Sequence, residues 1–192
     1  MSQQPKILAF AGSNRKQSFN QKLVAVAAAG AREAGAEVTL INLAEYDVPI
    51  YNQDLENAQG IPEKAIAFKK LLTEHDGFLI ASPEYNSAFT PFLKNMIDWA
   101  SRKESDDELP LQAYNGKFAV LMATSPGALG GLRGLTFLRM LLANLGVNVL
   151  AVQQAVPFAR KAFEGDNLVD EQQRQRVMDL GRHLSDVLKV KN

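Results

Sequence analysis

The segment 12–20, Gly-Ser-Asn-Arg-Lys-Gln-Ser-Phe-Asn, carries side chains that suit the binding of an anion. Ser13, Ser18 and Asn20 are neutral hydrogen-bond donors, and Arg15 adds a planar guanidinium that can pair with two phosphate oxygens. The segment also precedes a helical pattern, and the free N–H groups at the start of a helix attract negative charge. Together these groups predict a site for a phosphate monoester of about two negative charges. The alternative interpretation is a capped helix with a solvated arginine.

The helix after this segment has a recognisable start. Ser18, with Gln21 three residues later, fits a capping box, which predicts that the helix begins beside Ser18. The segment contains neither the G-x-G-x-x-G pattern of dinucleotide sites nor the G-x-x-x-x-G-K-[ST] pattern of nucleoside triphosphatases. The pattern therefore disfavours both a dinucleotide pyrophosphate site and a nucleoside triphosphatase.

A second polar segment, Ser-Pro-Glu-Tyr-Asn-Ser at 82–87, follows another apolar run. Thr90 is a favourable N-cap and Pro91 suits the first helical position, so the segment is predicted to be a short loop before a helix. Its backbone amides could meet the edge of a planar heterocycle, with Tyr85 as an aromatic surface and Asn86 as donor and acceptor. A turn with an exposed tyrosine explains the same residues equally well.

A third segment, residues 124–131, contains Gly127, Gly130 and Gly131 near a predicted helix start. The lack of side chains at these positions would let a ligand approach the backbone closely, but a flexible turn would have the same composition. If the three segments lie at one edge of a sheet, they predict a phosphate at the first and a flat polar ring at the other two. A mononucleotide with a large planar ring fits this arrangement, and flavin mononucleotide (FMN) is the natural candidate.

Five short apolar runs, and the helical patterns between them, indicate how these segments are positioned. The runs predicted to be strands are residues 6–11, 37–42, 77–82, 117–124 and 147–152. Between them, apolar residues recur at steps of three and four, as in helices that pack one face on a sheet. The alternation predicts an α/β fold with a parallel sheet and helices on both faces. Ligands of such sheets bind beyond the carboxyl ends of the strands, and the three polar segments follow strands one, three and four.

Composition excludes several kinds of chemistry. The chain of 192 residues has no cysteine, which rules out thiolate catalysis, disulfides and cysteine metal sites. His75 and His183 are the two histidines, and both are expected on the surface of a helix or turn. The 21 Lys and Arg residues balance the 21 Asp and Glu residues, which argues against a nucleic-acid-binding surface. No apolar stretch approaches a membrane span or a signal-peptide core, so we expect a soluble, cytoplasmic protein without membrane association.

Residues 49–62 and 104–115 are predicted to be long loops. The second contains Glu-Ser-Asp-Asp-Glu-Leu-Pro at 104–110, an acidic stretch whose simplest interpretation is a solvated surface loop. No internal repeat or low-complexity tract divides the chain, so residues 1–192 are expected to form one domain.

The sequence resembles the NAD(P)H-dependent FMN reductase family, most closely its bacterial quinone and chromate reductase branch. The similarity rests on GSNRKQSFN at 12–20, on SPEYNSAFTPFLKNMIDWASR at 82–102 and on SPGALGGLRG at 125–134, in the order that the family has. The resemblance implies a flavodoxin-like three-layer sandwich, an α/β fold with a five-stranded parallel sheet in the order 2-1-3-4-5. It also implies a single FMN-binding domain over residues 1–192.

The resemblance further implies which residues hold the cofactor. Around the FMN phosphate it places Ser13, Arg15, Ser18, Phe19 and Asn20. Along the flavin ring and the ribityl chain it places Pro83, Glu84, Tyr85, Asn86, Ser125 and Gly127. No side chain is assigned a catalytic role, and no metal is expected. The segment 88–90, Ala-Phe-Thr, is bulkier than the glycine-containing segment common in the family, which leaves the identity of the electron acceptor open.

The implied activity is the transfer of electrons from NADH or NADPH, in a ping-pong scheme, to quinones, azo compounds, chromate or free flavin. Members of the family form dimers or tetramers, which implies a homodimer or homotetramer with Trp99, Arg102 and residues 49–54 as candidate subunit contacts. Helix surface and loop packing would explain those residues as well. The alternative function is a flavodoxin-type electron carrier, but such carriers are typically strongly acidic, unlike this chain. A flavin-free regulatory domain would instead place acidic residues after the first strand.

Overall fold

A parallel β-sheet of five strands organises the computed structural model, which describes residues 4–191. The strands are β1 (Lys6–Ala11), β2 (Glu37–Leu40), β3 (Gly77–Ala81), β4 (Phe118–Thr124) and β5 (Asn148–Val156). Their order across the sheet is β2-β1-β3-β4-β5, and every neighbouring pair is parallel. This order confirms the predicted flavodoxin-like fold, in which the direction of strand addition reverses between β1 and β3.

Helices cover both faces of the sheet and complete the three layers. One face is covered by α1 (Phe19–Glu33) and α7 (Glu171–Lys191), the other by α3 (Glu63–Glu74), α4 (Pro91–Ala100) and α5 (Leu132–Asn144). Successive side chains of a strand point to opposite faces. Ile7 and Ala9 of β1 therefore pack with α1 and α7, whereas Leu8 and Phe10 pack with the other helices. None of the helices within residues 4–191 has the length and apolarity needed to cross a bilayer.

Strand β5 extends further than the sequence predicts. The predicted strand ends at residue 152, whereas β5 continues through Gln153 and Gln154 to Val156. Because β5 forms an edge of the sheet, polar side chains are tolerated there, and they interrupt the apolar run that the prediction follows. The extension carries the chain to the carboxyl edge of the sheet, since Val156 pairs with Thr124 at the end of β4.

Several short elements lie where the sequence predicts no regular structure. α2 (Gln53–Gln59) occupies part of the predicted loop 49–62, so the prediction is wrong there. The side-chain oxygen of Asn52 caps this helix by accepting from the N–H of Asp54 at 2.7 Å. α2 buries none of its side chains, which explains why it lacks an apolar stripe. The remaining elements are a 3-10 helix (Leu43–Tyr46), α6 (Ala159–Ala162) and a hairpin of β6 (Phe163–Glu164) and β7 (Asn167–Leu168).

The segment 104–115 is a loop, as predicted, but its acidic stretch does more than face solvent. Glu108 and Glu104 approach the Nζ of Lys69 at 2.5 Å and 3.3 Å. Lys69 is buried and also donates to the backbone oxygen of Arg102 at 2.6 Å. The acidic stretch therefore supplies the counter-charges that a buried ammonium group requires.

The two histidines lie in different environments. His183 is exposed on α7, as predicted. His75 is buried, so the prediction of a surface position is wrong for this residue. Its Nε2 lies 2.8 Å from Oγ1 of Thr39 and its Nδ1 lies 2.6 Å from the backbone oxygen of Leu71. Since both ring nitrogens are engaged and His75 precedes β3, the imidazole is a packing element toward the amino ends of the strands.

The helices α1 and α7 approach each other very closely. A Cβ at Gly30 would overlap the backbone oxygen of Met178, and a Cβ at Gly181 would overlap the backbone oxygen of Ala27. Only glycine therefore fits at these two positions. The packing of α7 along α1 fixes α1 against the sheet, and the amino end of α1 faces the carboxyl edge of the strands.

Candidate functional site

A cleft opens at the carboxyl edge of the sheet, where the loops after β1, β3 and β4 meet. Its enclosed volume is about 170 Å³. The lining residues are Ser13, Arg15, Ser18, Phe19, Asn20, Pro83, Glu84, Tyr85, Thr124, Ser125, Pro126 and Arg160. The structure thus brings together all the predicted site residues except Asn86 and Gly127, which lie outside this lining.

Ser18 stands at the N-cap of α1, where the helix is predicted to begin, but its hydroxyl makes no capping bond. The predicted capping box is wrong, because Gln21 instead donates from Nε2 to the backbone oxygen of Ile41 at 3.1 Å. The Ser18 hydroxyl is therefore not committed to the helix. The N–H groups of Phe19 and Asn20 have no carbonyl to bond within the helix, so the start of α1 offers several donors to an anion.

Asn20 joins the start of α1 to the end of β4. Its Nδ2 donates to the backbone oxygen of Thr124 at 3.0 Å, and its Oδ1 accepts from the N–H of Thr124 at 3.0 Å. The side chain is buried, and both ends of its amide are engaged within the protein. The Asn20 side chain therefore acts as a structural link between two walls of the cleft, while its backbone N–H is one of the free donors at the start of α1.

Two arginines bring positive charge to the cleft. Arg15 follows β1, and its Nη2 donates to the backbone oxygen of Gln17 at 3.4 Å. Arg160 is an exposed residue of α6. Neither arginine pairs with a carboxylate within residues 4–191. The carboxylate in the lining, that of Glu84, is already neutralised by Arg133, so the cleft carries uncompensated positive charge that suits a dianion.

The carboxylate of Glu84 is held by the start of α5. Arg133 donates from Nη2 to Oε1 at 2.7 Å, and the N–H of Gly134 donates to Oε2 at 3.0 Å. Burial raises the pKa of Glu84, but the hydrogen bonds from Gly134 and Arg133 outweigh burial and hold that pKa below its ordinary value. Glu84 therefore remains ionised at neutral pH and ties the loop after β3 to α5.

Tyr85 sits on a tight turn at the rim of the cleft. The N–H of Tyr85 donates to the backbone oxygen of Ala88 at 2.9 Å, and the N–H of Ala88 donates back at 3.0 Å. Asn86 and Ser87 between them have φ values of +50° and +71°, the left-handed conformation that both central residues of a type I′ turn require. The turn leaves the Tyr85 side chain 48% exposed. The predicted N-cap of the next helix is confirmed, since Thr90 Oγ1 accepts from the N–H of Leu93 at 3.1 Å.

The glycines after β4 have two different reasons to be glycine. A Cβ at Gly130 would lie 2.6 Å from the backbone carbon of Val156, so the turn itself requires glycine there. Gly131 has a φ of +90° and likewise serves the turn. A Cβ at Gly127 would meet nothing nearer than Oγ of Ser125 at 3.8 Å. Of the two interpretations left open by the sequence, the structural turn accounts for Gly130 and Gly131, and open space remains at Gly127.

The residues predicted at a subunit contact differ in their exposure. Trp99 is fully buried and donates from Nε1 to the backbone oxygen of Pro49 at 2.7 Å, so it does not lie on a surface open to a partner. Arg102 pairs through Nε with Oε1 of Glu56 at 2.8 Å. Within the loop 49–54, Ile50 is 85% exposed. The loop therefore keeps its place as a candidate contact, whereas Trp99 belongs to the core.

Three lining residues are missed by the sequence interpretation: Thr124, Pro126 and Arg160. Thr124 and Pro126 flank Ser125, and the signal for them was already present in the segment 124–131. Arg160 follows β5, whereas the predicted site draws on the ends of strands one, three and four. The observed end of β5 at Val156 also lies at the carboxyl edge of the sheet, where ligands of parallel sheets bind.

Fold and cleft together define an α/β protein with a flavodoxin-like sheet and, at its carboxyl edge, a cleft whose charge suits an anionic ligand. No group of three or more metal-ligating His, Cys, Asp or Glu residues occurs in the described chain. The lining also brings no histidine to the carboxylate of Glu84, so the cleft offers binding groups rather than an acid–base pair.

The model of the family described as NADPH-dependent FMN reductase matches residues 5–161. An NAD(P)H-dependent FMN reductase of Pseudomonas aeruginosa is 32% identical over 179 residues, covering 92% of this chain and 91% of the relative. A quinone reductase of Escherichia coli K12 is 34% identical over 150 residues, covering 78% of this chain and 76% of the relative. This chain belongs to the NADPH-dependent FMN reductase family.

A solved structure shows the same relationship. The flavoenzyme NAD(P)H:(acceptor) oxidoreductase from Paracoccus denitrificans superposes with a TM-score of 0.81 at 26% identity, covering 97% of this chain and 98% of that chain. An archaeal flavodoxin superposes with a TM-score of 0.64 at 12% identity and shares the fold. The protein is therefore an oxidoreductase whose cofactors are FMN and NAD(P)H.

Proposed function

We propose that the protein carries electrons from NADH or NADPH through bound FMN to quinones or similar acceptors in a ping-pong reaction. Azo compounds, chromate and free flavin are further acceptors in this proposal. The observation that carries it is the cleft in which the start of α1, the Ser18 hydroxyl and two arginines without carboxylate partners converge. We place this activity in a single domain formed by residues 1–192 and in the cytoplasm.

The lining suits the phosphorylated end of FMN in size and in chemistry. Small-molecule sites commonly enclose about 300–1,000 Å³. The enclosed volume of about 170 Å³ is smaller, which suits the phosphate and part of the ribityl chain and leaves a ring at the open mouth. Ser13, Arg15, Ser18 and the first N–H groups of α1 would hold the phosphate, with Phe19 and Asn20 shaping its pocket.

The loops after β3 and β4 would hold the ring. Tyr85, half exposed on its tight turn, offers an aromatic surface, and Pro83, Glu84 and Asn86 supply the backbone of this loop. Ser125 and the open backbone at Gly127 would lie along the ribityl chain or the ring edge. When bound, FMN supplies the redox chemistry by accepting a hydride from the nicotinamide and passing the electrons to the acceptor.

The side chains of the cleft bind and orient rather than exchange protons. The carboxyl group of Glu84 is kept ionised by Gly134 and Arg133, so it does not serve as a proton donor at neutral pH. The hydrogen-bond donors that would hold FMN all line one cleft. We infer that the nicotinamide and the electron acceptor occupy the mouth of this cleft in turn. An alternation of this kind would give ping-pong kinetics.

The test begins with the visible spectrum of the purified protein reconstituted with FMN. Anaerobic addition of NADPH should bleach the flavin absorption, and a quinone should restore it. Initial rates measured at several fixed quinone concentrations should give parallel double-reciprocal lines against NADPH. Intersecting lines would contradict the ping-pong scheme. Bound FMN with negligible NADPH oxidation would instead identify an electron carrier of the flavodoxin type.

We also propose that copies of the chain assemble as a homodimer or homotetramer through the loop 49–54. Ile50 is 85% exposed, although the backbone on both sides of it is fixed by Asn95. The side chain of Asn95 donates to the oxygen of Pro49 at 2.9 Å and accepts from the N–H of Tyr51 at 2.8 Å. Light scattering of wild type and Ile50→Lys tests this; an unchanged mass for the variant removes the loop from the contact.

A further inference from the structure

We propose that Arg160 is a second phosphate-binding guanidinium of the cleft, an inference that rests on the proposed binding of FMN. Arg160 lines the same cleft as Ser13, Arg15 and Ser18. Like Arg15, it has no carboxylate partner in the part of the chain that the structure describes. A phosphate monoester carries close to two negative charges, and two guanidinium groups match that charge where one does not.

A small unit formed by α6 and the β6–β7 hairpin brings Arg160 to the phosphate end. The ring of Phe163 in this unit packs on the ring of Phe19 with 5.6 Å between centroids. Lys22 Nζ lies 3.1 Å from Oδ1 of Asp166 and donates to the oxygen of Gly165 at 2.5 Å. Because Phe19 is the first residue of α1, these contacts seat α6 beside the helix end that attracts the phosphate.

The start of α6 is also bonded to the loop after β4. Phe158 donates its N–H to the oxygen of Gly127 at 3.2 Å, and Ala159 donates its N–H to the oxygen of Ser125 at 3.0 Å. Phe158 has a φ of +51°, a left-handed conformation that is unfavourable for a bulky residue and persists only where the surroundings impose it. The position of Arg160 is therefore set before it in the chain by the hydrogen bonds to the loop after β4, and after it by the β6–β7 hairpin packed on α1.

The experiment compares Arg160→Ala with Lys161→Ala, which removes the same charge from the neighbouring exposed residue of α6. FMN-free protein is titrated with FMN and, separately, with riboflavin, which has the same ring and ribityl chain but no phosphate. Arg160→Ala should raise the Kd for FMN about 10- to 100-fold, as expected for a lost charge-assisted hydrogen bond. It should leave the Kd for riboflavin within about twofold, and Lys161→Ala should change both values by less than about threefold.

Two outcomes overturn the assignment. Arg160→Ala could leave the Kd for FMN unchanged, or could weaken the binding of riboflavin as much as that of FMN. Each of these leaves the proposed function intact if wild-type protein still binds FMN more tightly than riboflavin. Failure of the wild type to prefer FMN would overturn the proposed function itself. Since Arg160 is exposed, an unchanged urea midpoint verifies that the variant is folded.

Discussion

Replacing Asn20 by alanine tests the link that joins two walls of the cleft. The substitution removes two hydrogen bonds of 3.0 Å and leaves the N–H and the oxygen of Thr124 without these partners at a buried position. Each lost bond contributes about 0.5–1.5 kcal/mol, and unpaired buried groups add a desolvation cost. We therefore expect the free energy of unfolding to fall by about 2–4 kcal/mol.

Asn20→Asp refines the test because it changes one atom. The introduced carboxylate keeps the acceptor for the N–H of Thr124 but places a second oxygen against the Thr124 carbonyl. At neutral pH this variant should be at least as unstable as Asn20→Ala. Protonation of the new carboxyl in acid replaces the second acceptor with an O–H donor to the Thr124 carbonyl. Asn20→Asp should therefore gain stability relative to Asn20→Ala as the pH falls and the carboxyl becomes protonated.

Urea unfolding provides the measurement. Trp99 is the sole tryptophan and is fully buried, so its fluorescence reports the loss of the core directly. Asn57→Ala, at an exposed position of α2, is the matched control and should stay within about 0.5 kcal/mol of wild type. The reasoning is refuted if Asn20→Ala also stays within that range, or if Asn20→Asp gains nothing over Asn20→Ala at lower pH.

Three further predictions concern other parts of the molecule. Arg15→Ala should weaken FMN binding by about 1.5–3 kcal/mol in a fluorescence titration, through loss of the charge-assisted bond to the phosphate. Gly181→Ala should lower the free energy of unfolding in urea by about 1–3 kcal/mol or more, because the added methyl overlaps the backbone oxygen of Ala27. Glu84→Gln should lower it by about 1 kcal/mol at neutral pH, through loss of the ionic bonds to Arg133 and the α5 amide. Because the pKa of Glu84 is lower in the folded state, that stabilisation is present above the ordinary glutamate pKa and disappears as the pH falls through the folded value.

Each of these has a result that would count against it. Equal FMN affinity of Arg15→Ala and wild type would remove Arg15 from the phosphate site. Gly35→Ala is the control for Gly181→Ala. A Cβ added at Gly35 would meet no atom within 4 Å, so this variant measures only the backbone strain at a φ of +88°. A stability difference between Glu84→Gln and wild type that persists unchanged at acid pH would show that ionisation is not its cause.

The central strands could be predicted almost to the residue because both of their faces are buried. β1 begins and ends where its apolar run does, between Pro5 and Gly12. The full length of the edge strand β5 could not be predicted, because an edge strand is less buried and tolerates polar residues such as Gln153 and Gln154. The helix α2 escaped prediction for the same physical reason: a helix that buries no side chain leaves no periodic signal.

The wall of the cleft formed by residues 12–20 could be predicted because its polar side chains are contiguous in the sequence. The links that hold it could not, because their partners are distant in the chain: Asn20 bonds to a residue 104 positions away. Gln21 shows how a local pattern can mislead, since its amide bonds to Ile41 across a loop instead of closing a capping box. Arg160 lies on a helix of four residues, too short for any periodicity.

The close contact of α1 and α7 also bears on how the protein is made. Ribosomes deliver α1 early and α7 late, and Val177, Leu180 and Leu184 complete the apolar cover of α1. Until those residues emerge, the nascent chain lacks part of the packing that holds α1 against the sheet. The wall of the cleft formed by the start of α1 therefore gains its full support only after α7 has been synthesised.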